Sequence, residues 1–346
     1  MKVKRIGLDL AKNIFQIHGV DIDEQTIVRQ RLKRVAVLSY FARLDRVNGC
    51  VVGMESCCGS DYWARELRKL GYEVRIMNPK FVKPYVKSAK NDARDAEAIC
   101  EAVGRPTMRF IPVKTLEQQD LMLLHRQREQ QIRRRTALAN QTRGLLMNYG
   151  IILSPRLSNL RHHLLSVLDE NTDKLTELAR EVFIEMHEEL VWLDEKIAKL
   201  DTRLNALAKT RDDCRRLMTI PGVGCMSATA FVAWMGDGNQ FSHARECPAY
   251  LGLVPDQHSS GDKARLGHIS KRGNRYLRTL LIIGAHADLN AAQRRRDNEL
   301  GSARDQWSTA LEERRHSNVA AVALANKNAR IAWALLRDKT EYRCAA

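Results

Sequence analysis

The stretch IGLDLAKNIFQIHGVD, residues 6–21, begins with apolar side chains spaced two apart, Ile6, Leu8 and Leu10 alternating with Gly7 and Asp9. Period two marks a half-buried strand, so Asp9 projects from the face opposite the aliphatic side chains. IFQIHGV (14–20) is a second strand, and the turn-like DIDE (21–24) leads into TIVRQRL (26–32), completing a meander. A helical stretch follows at 35–45. GCVVGME (49–55) is a short apolar strand ending on Glu55, a glycine-marked turn opens a helix over 61–70, and EVRIM (73–77) is a further strand. NPKFVKPYV (78–86) is a proline-marked connection. Residues 1–112 therefore predict a mixed α/β sheet flanked by helices.

The connection leads to AKNDARDAEAI (89–99), which puts acids where a helix normally carries apolar groups. With Asn91 as N-cap, Asp92, Asp95, Ala96 and Ile99 fall at i, i+3, i+4 and i+7, the register of an inward face, and Arg94 and Glu97 turn elsewhere. Aspartates in a first turn also complement the helix dipole, by ~0.3–1 kcal/mol each. That effect accounts for acids near residue 92 but not for both sharing the apolar face.

The chain has 346 residues, which favours two or three domains over one small core. Lys and Arg number 57 against 41 Asp and Glu, a net charge of +16. That surplus favours polyanions, either nucleic acid or an anionic membrane surface. No apolar run approaches the roughly 20 residues that span a bilayer, and Asp9 interrupts the N-terminus before a signal-peptide core develops. Nucleic acid is therefore the expected partner, with no membrane. The eight cysteines form no Cys-x-x-Cys pair, and Cys57 and Cys58 are adjacent, which suits neither a disulfide framework nor zinc. Reduced cysteines in a cytoplasmic protein are expected.

From 115 to about 210 apolar residues recur at helical spacing amid many charges, with one clear break at GIILSPRLSNL (150–160). Two long helices in a coiled-coil hairpin are expected over 113–210. The first, HRQREQQIRRRTALANQTRGLL (125–146), carries Arg126, Arg128, Arg133, Arg134, Arg135 and Arg143, which form either a solvated basic face or phosphate contacts. Residues 211–346 predict a third, largely helical unit. Its TIPGVGCMSATAFVAWMG (219–236) has the Pro-Gly-x-Gly turn of a helix-hairpin-helix, which presents backbone N–H groups to a phosphate or simply joins packed helices.

Asp9 on a first strand, Glu55 at a strand end and Asp92 and Asp95 on one helix face each have an innocent explanation. Together they form a set of hard oxygen donors. A buried carboxylate cluster is costly unless divalent cations neutralise it. Two Mg²⁺ ions about 3.5–4 Å apart, bridged by such a cluster, activate an attacking oxygen and stabilise a leaving one in phosphodiester chemistry.

A second constellation lies in QHSSGDKARLGHISKRGNRYLR (257–278). It reads either as a flexible basic loop leading into a helix over 274–287 or as a phosphate-handling site. His258, Lys263, Arg265, Lys271, Arg272, Arg275 and Arg278 crowd around Ser259–Ser260–Gly261. Cations at that density can hold a scissile phosphate, and a serine hydroxyl among them can attack phosphorus to give a covalent protein–DNA ester. Spacing does not choose between Ser259 and Ser260.

IGLDLAKNIFQIHGVD, then VVGMES and KNDARDAEAI, resembles the Asp-Glu-Asp-Asp signature of the insertion-sequence-110 transposase family, in its insertion-sequence-1111 branch. The likeness continues through IPGVG, YLGLVP, SSGDKARLGHISKRGNRYLRTLLIIGA and ALANKNARIAWALLRD, and covers nearly the whole chain, most weakly in the helical middle and over 288–316. It implies an RNase H-like, RuvC-type N-terminal domain with a Mg²⁺ site at Asp9, Glu55, Asp92 and Asp95. It implies a nucleophilic serine directly before a glycine, which selects Ser260. It further implies that serine and acids act together across subunits, and that a structured noncoding RNA from the element's own end pairs with donor and target DNA.

The expected architecture is α/β plus all-α: an RNase H-like domain (1–112), a helical coiled-coil region (113–210) for assembly and RNA binding, and a C-terminal transposase domain (211–346). The expected function is RNA-guided recombination of an insertion sequence in the bacterial cytoplasm, at the nucleoid, by a homo-oligomer. Arg126, Arg133, Arg134, Lys263, Arg265, Lys271, Arg272 and Arg275 are the expected nucleic-acid contacts. A junction-resolving nuclease using water, and a non-catalytic nucleic-acid-binding assembly factor, are the competing readings.

Overall fold

A computed structural model describes residues 2–86, 92–154, 157–259, 265–298 and 301–343, without the side chains of 92–93 and 157–159. The chain divides into two compact units, residues 1–115 and 116–346. The helical middle expected as its own region is thus grouped with the C-terminal region.

The first unit is built on β1 (Val3–Asp9), β2 (Ile14–Val20), β3 (Thr26–Lys33), β4 (Arg46–Glu55), β5 (Glu73–Met77) and β6 (Phe110–Ile111), in the order β3-β2-β1-β4-β5-β6. The meander β1–β2–β3 is antiparallel, β1, β4 and β5 run parallel, and β6 closes antiparallel on β5. Helices α1 (Val37–Arg43), α2 (Ser60–Lys69), the single turn α3 (Pro79–Val82) and α4 (Asp92–Val103) connect them. Period-two alternation sorts the strand residues into two layers. Ile6, Leu8, Phe15, Ile17, Val52, Met54, Val74 and Ile76 pack with Phe41 of α1 and with Trp63 and Leu67 of α2. The opposite layer meets α4, whose Ala98, Ile99, Ala102 and Val103 pack with Met77 and Val82.

Helix α4 lies directly on the backbone of β1. A Cβ at Gly7 would collide with the Ala96 carbonyl oxygen and the Cys100 backbone nitrogen, and would stand 2.9 Å from Cys100 Cβ. Next door, a Cβ at Gly53 would come within 2.7 Å of Val103 Cβ. Glycine in a strand interior is otherwise unfavourable, so these two residues mark a close helix–sheet approach.

The second unit begins with α5 (Leu116–Met147), α6 (Leu157–Glu170) and α7 (Glu177–Thr210). Two long helices with one break were expected. A second break precedes α7, where the Thr176 hydroxyl accepts the Ala179 N–H at 3.2 Å and caps the helix. The remainder comprises α8 (Asp212–Met218), α9 (Cys225–Met235), α10 (Glu246–Tyr250), β7 (Pro255–Gln257), β8 (Leu266–Ile269), α11 (Arg275–Asp297), α12 (Ala303–Arg314) and α13 (Ser317–Asp338). Its core gathers α9, α11 and α13 around Phe231, Leu281, Leu324 and Trp333.

The Pro-Gly side of the IPGVG turn faces this core. The Pro221 carbonyl accepts from Arg304 Nη2 at 3.3 Å and Asn328 Nδ2 at 3.1 Å, and Gly222, at φ +81°, lies against α11, where a Cβ would stand 2.6 Å from the Gly284 carbonyl oxygen. Only Gly224, at the N-terminus of α9, is exposed.

A buried polar chain ties the long helices to this core. Arg128 of α5 pairs with Asp201 of α7. Fully buried His125 lies 3.0 Å from the Tyr276 hydroxyl through Nδ1 and 3.0 Å from Thr229 Oγ1 through Nε2. Thr229 donates its own proton to the Cys225 carbonyl. Nε2 therefore carries the imidazole proton, and Nδ1 accepts from Tyr276. Burial, then the nearby Arg128 guanidinium, pushes the His125 pKa down to about 4.

Two consequences are measurable. Gly7→Ala should destabilise the protein by about 2 kcal/mol or more, because two backbones must separate; denaturant unfolding of the full chain reads this. His125 must stay neutral to remain in place, and its folded pKa lies below the unfolded value near 6.5. Its contribution is therefore complete above pH 6.5 and is lost as pH falls through 6.5 toward 4, by roughly 2 kcal/mol at pH 5. Unfolding at pH 7.5 and pH 5 should show this loss, and His125→Gln, neutral at both, should flatten it.

Candidate functional site

The strand acids are neighbours. In the parallel pair β1–β4, Leu8 registers with Met54, so Asp9 and Glu55 are the next residues, at the carboxyl ends of adjoining strands. Such strands lie ~4.8 Å apart. Asp9 follows Gly7 and Glu55 follows Gly53 at a spacing of two, so both project to the layer occupied by α4. Both are half-buried. Their carboxylates are also felt by Cys57, whose thiol is held above its usual range by burial first, then by Asp9, Cys58 and Glu55.

Helix α4 runs back along β1. The Cys100 thiol reaches the Arg5 carbonyl at 3.7 Å, and Ala96 lies over Gly7. One further helical turn toward the N-terminus (~5.4 Å) matches the two strand residues (~6.6 Å) from Gly7 to Asp9. The first turn of α4 therefore overhangs the strand end. Ala96 and Ile99 are buried and Arg94 is exposed, as the register predicts, but Asp95 and Glu97 are both half-buried, so burial does not set Asp95 apart from the acid expected to turn elsewhere. Asn91, the expected cap, and the Asp92 side chain lie outside the described residues. Among the described residues no three His, Cys, Asp or Glu side chains converge into a metal-binding group. What the described residues bring together is thus the pair Asp9 and Glu55, whose carboxylate oxygens suit a hard divalent cation, and Asp95 is not gathered with them into a three-acid group.

The second constellation is a hairpin rather than a loop. Strands β7 and β8 pair antiparallel, registering Pro255 with Ile269 and Gln257 with Leu266. Ser259 is exposed, and its Oγ accepts from Gln257 Nε2 at 3.0 Å and from the Arg265 N–H at 3.2 Å. The His258 N–H donates to the Arg265 carbonyl at 2.9 Å. Ser259 thus fastens the two strands together. Ser260 and Lys263 lie outside the described residues. Arg265, Lys271, Arg272 and Arg275 are exposed. Arg278, grouped with them in sequence, turns inward: it is buried and donates to the Leu251 carbonyl at 2.9 Å and the Arg272 carbonyl at 2.8 Å. It holds the YLGLVP and SKRG turns together instead of facing solvent.

The basic helix α5 divides in the same way. Arg128 and Arg135 are spent on the seam with α7, against Asp201 and Asp194. Arg134 reaches Glu189 at 3.4 Å and lies over the Trp192 ring, Arg133 pairs with Glu129 on its own helix, and Arg126 is exposed. The sequence does not distinguish these arginines, since each shows only a cation at a helical position. Three further features escaped the sequence reading. Gly7 and Gly53 carried a signal, glycine inside an apolar strand, whereas the Gln257–Ser259 contact carried none.

Two family models match the chain. One, described as a transposase of the DEDD type of IS110, covers residues 6–151, and the other, "Transposase IS116/IS110/IS902 family", covers residues 214–299. A probable family 20 transposase of Pseudomonas aeruginosa is 48% identical over 99% of both chains. The transposase for insertion sequence element IS1111A of Coxiella burnetii is 44% identical over 99% of this chain and 92% of its own. The transposase for insertion sequence element IS1328 of Yersinia enterocolitica is 37% identical over 98% of each. With the strand acids at one end of the first unit and the serine hairpin in the second, this chain belongs to the IS110/IS116/IS902 family of insertion-sequence transposases, enzymes that cut and rejoin DNA.

Proposed function

We propose that this transposase recombines DNA with two sets of groups, a Mg²⁺-binding acid site on the first unit and a nucleophilic serine, Ser260, on the second, while an element-encoded RNA supplies the target sequence. The observation that carries the reading is the placement of Asp9 and Glu55 on adjoining strand ends under α4. An order of β3-β2-β1-β4-β5, antiparallel then parallel, is what an RNase H-like, RuvC-type domain requires, and it supports that assignment. Asp9 and Glu55, with Asp92 and Asp95 from α4, would hold the cations, which when bound lower the cost of charge on the attacking and departing oxygens. The sheet fixes the first two acids, and the Gly7 contact fixes the distance of the helix that carries the others.

In the serine step, the Ser260 hydroxyl loses its proton as Oγ bonds to phosphorus, and the bond from phosphorus to the departing deoxyribose oxygen breaks as that oxygen takes up a proton. One ester replaces another, so attack by a new strand end reverses the step and reseals DNA without an external energy source. Ser260 is preferred over Ser259 because the Ser259 oxygen already accepts two hydrogen bonds. Exposed Arg265, Lys271, Arg272 and Arg275, with Lys263, supply phosphate contacts. The net charge of +16 suits a protein that reads backbone and shape, leaving sequence to base pairing. We take the working form to be a homo-oligomer in the cytoplasm, with the helical region contributing RNA contacts through Arg126, Arg133 and Arg134.

Purified protein, supercoiled donor and target DNA, and RNA transcribed from the element end test this reading. Ser260→Ala should abolish both the covalent protein–DNA adduct and strand exchange, whereas Ser259→Ala should keep the adduct; adduct retained in Ser260→Ala and lost in Ser259→Ala would reverse the choice. Asp9→Ala, Glu55→Ala or Asp92→Ala should each slow strand exchange at least about 10²-fold with folding intact, the scale of losing one electrostatic contact to a transition state. Chelation of divalent cations should do the same, with Mg²⁺ restoring activity. Normal excision by all three acid variants sinks the acid site.

A further inference from the structure

Helix α7 carries two stripes. One is buried and includes Phe183, Leu190, Leu193, Ile197, Leu200 and Leu204. The other, about 130° round the helix, is exposed throughout and runs Glu181, Glu185, Glu188, Trp192, Lys196, Lys199, Arg203. Its spacings of four, three and four before Trp192 repeat in reverse as four, three and four after it. The sign of charge inverts at the same point.

Forces within the chain do not account for that order. The helix dipole favours acids at the start and cations at the end, but fades beyond the terminal turns and so leaves Glu185, Glu188, Lys196 and Lys199 unexplained. Along the stripe, Glu181, Glu185 and Glu188 stand three or four apart, as do Lys196, Lys199 and Arg203, and like charges at those separations destabilise a helix. Other residues of α7 make its ion pairs with α5, namely Glu189, Asp194 and Asp201. None of the six charged stripe residues has an ion-pair partner among the described residues. Trp192 is 44% exposed at the centre, with Lys196 Nζ 5.1 Å from its ring.

We propose that α7 pairs antiparallel with α7 of a second copy of this chain, about a two-fold axis at Trp192. Glu188 then faces Lys196 of the second copy, Glu185 faces Lys199, Glu181 faces Arg203, and each pair occurs twice by symmetry. The like-charge crowding along each stripe is relieved by opposite charge, and the two exposed indoles meet at the centre, where aromatic anchors contribute most to an interface. A polyanion would be repelled by the acidic half of the stripe. A second copy presents the opposite sign at every position.

This pairing deepens the self-association proposed above and is read without any DNA chemistry. Light scattering on the full chain should give the wild type a mass at least twice the 39.5 kDa of one chain. Glu185→Lys with Glu188→Lys should halve that mass, as should Lys196→Glu with Lys199→Glu, each with an unchanged far-ultraviolet circular-dichroism spectrum. Mixing the two variants in equal amounts should restore the wild-type mass, and so should all four changes in one chain. A monomeric wild type, unchanged mass in the double variants, or a fall in mass that neither mixing nor the fourfold exchange reverses overturns the proposal. Loss of RNA binding at unchanged mass also overturns it, by making the stripe a nucleic-acid surface. Adduct formation separates the outcomes: an adduct-forming enzyme whose mass ignores the exchanges refutes the pairing alone, and normal pairing without adduct refutes the serine reading alone.

Discussion

The contact on which the first unit depends is a backbone-to-backbone one, α4 against β1 at Gly7. A side chain at that position would hold the helix away from the sheet. With only hydrogen there, the helix settles onto the strand and its first turn reaches the strand end where Asp9 and Glu55 stand side by side. Asp9 and Glu55 come from separate parts of the chain, and their adjacency follows from one strand register. Three-dimensional proximity of this sort is robust, because neither the register nor the helix position can slip without turning a buried layer of the sheet out to water.

The second unit shows how little a cation's identity says about its task. The chain is strongly basic, and much of that surplus faces solvent, but Arg128, Arg135, Arg278 and Arg304 are engaged in holding helices and turns in place. Arg304 meets Asp288, Asn328 and the Pro221 carbonyl, fixing the IPGVG turn from beneath. Removing one member of such a set strands its partners without water, so these arginines are tied to folding rather than to a ligand. The exposed Arg265, Lys271, Arg272 and Arg275 remain for nucleic acid. They are presented on and beside a short hairpin whose two strands are fastened by the Ser259 hydroxyl.

The neutral His125 belongs to the same economy of polar groups. It connects α5 to α9 and α11 in a place where an aliphatic residue would leave Tyr276 and Thr229 unsatisfied. Helix α11 begins immediately beyond the hairpin, so the polar chain from Asp201 through Arg128, Tyr276 and His125 anchors the base of the element that presents the basic residues.

Local periodicity by itself determined most elements of the first unit, though not β6 or the single turn α3. Ile6 and Leu8 against Gly7 and Asp9 gave the strand and its two faces, IFQIHGV coincides with β2 and EVRIM with β5, and the inward placement of Ala96 and Ile99 was already legible. Such patterns survive in sequence because they record which side of one element avoids water. The sequence did not reveal the break before α7, the pairing of β7 with β8, or the division of arginines between seam and surface. Each of those depends on a partner distant in the chain: Asp201 for Arg128, the Leu251 and Arg272 carbonyls for Arg278, Leu266 for Gln257. Only the folded chain decided that Asp9 and Glu55 are neighbours, because strand register is a property of two segments together and neither segment alone contains it.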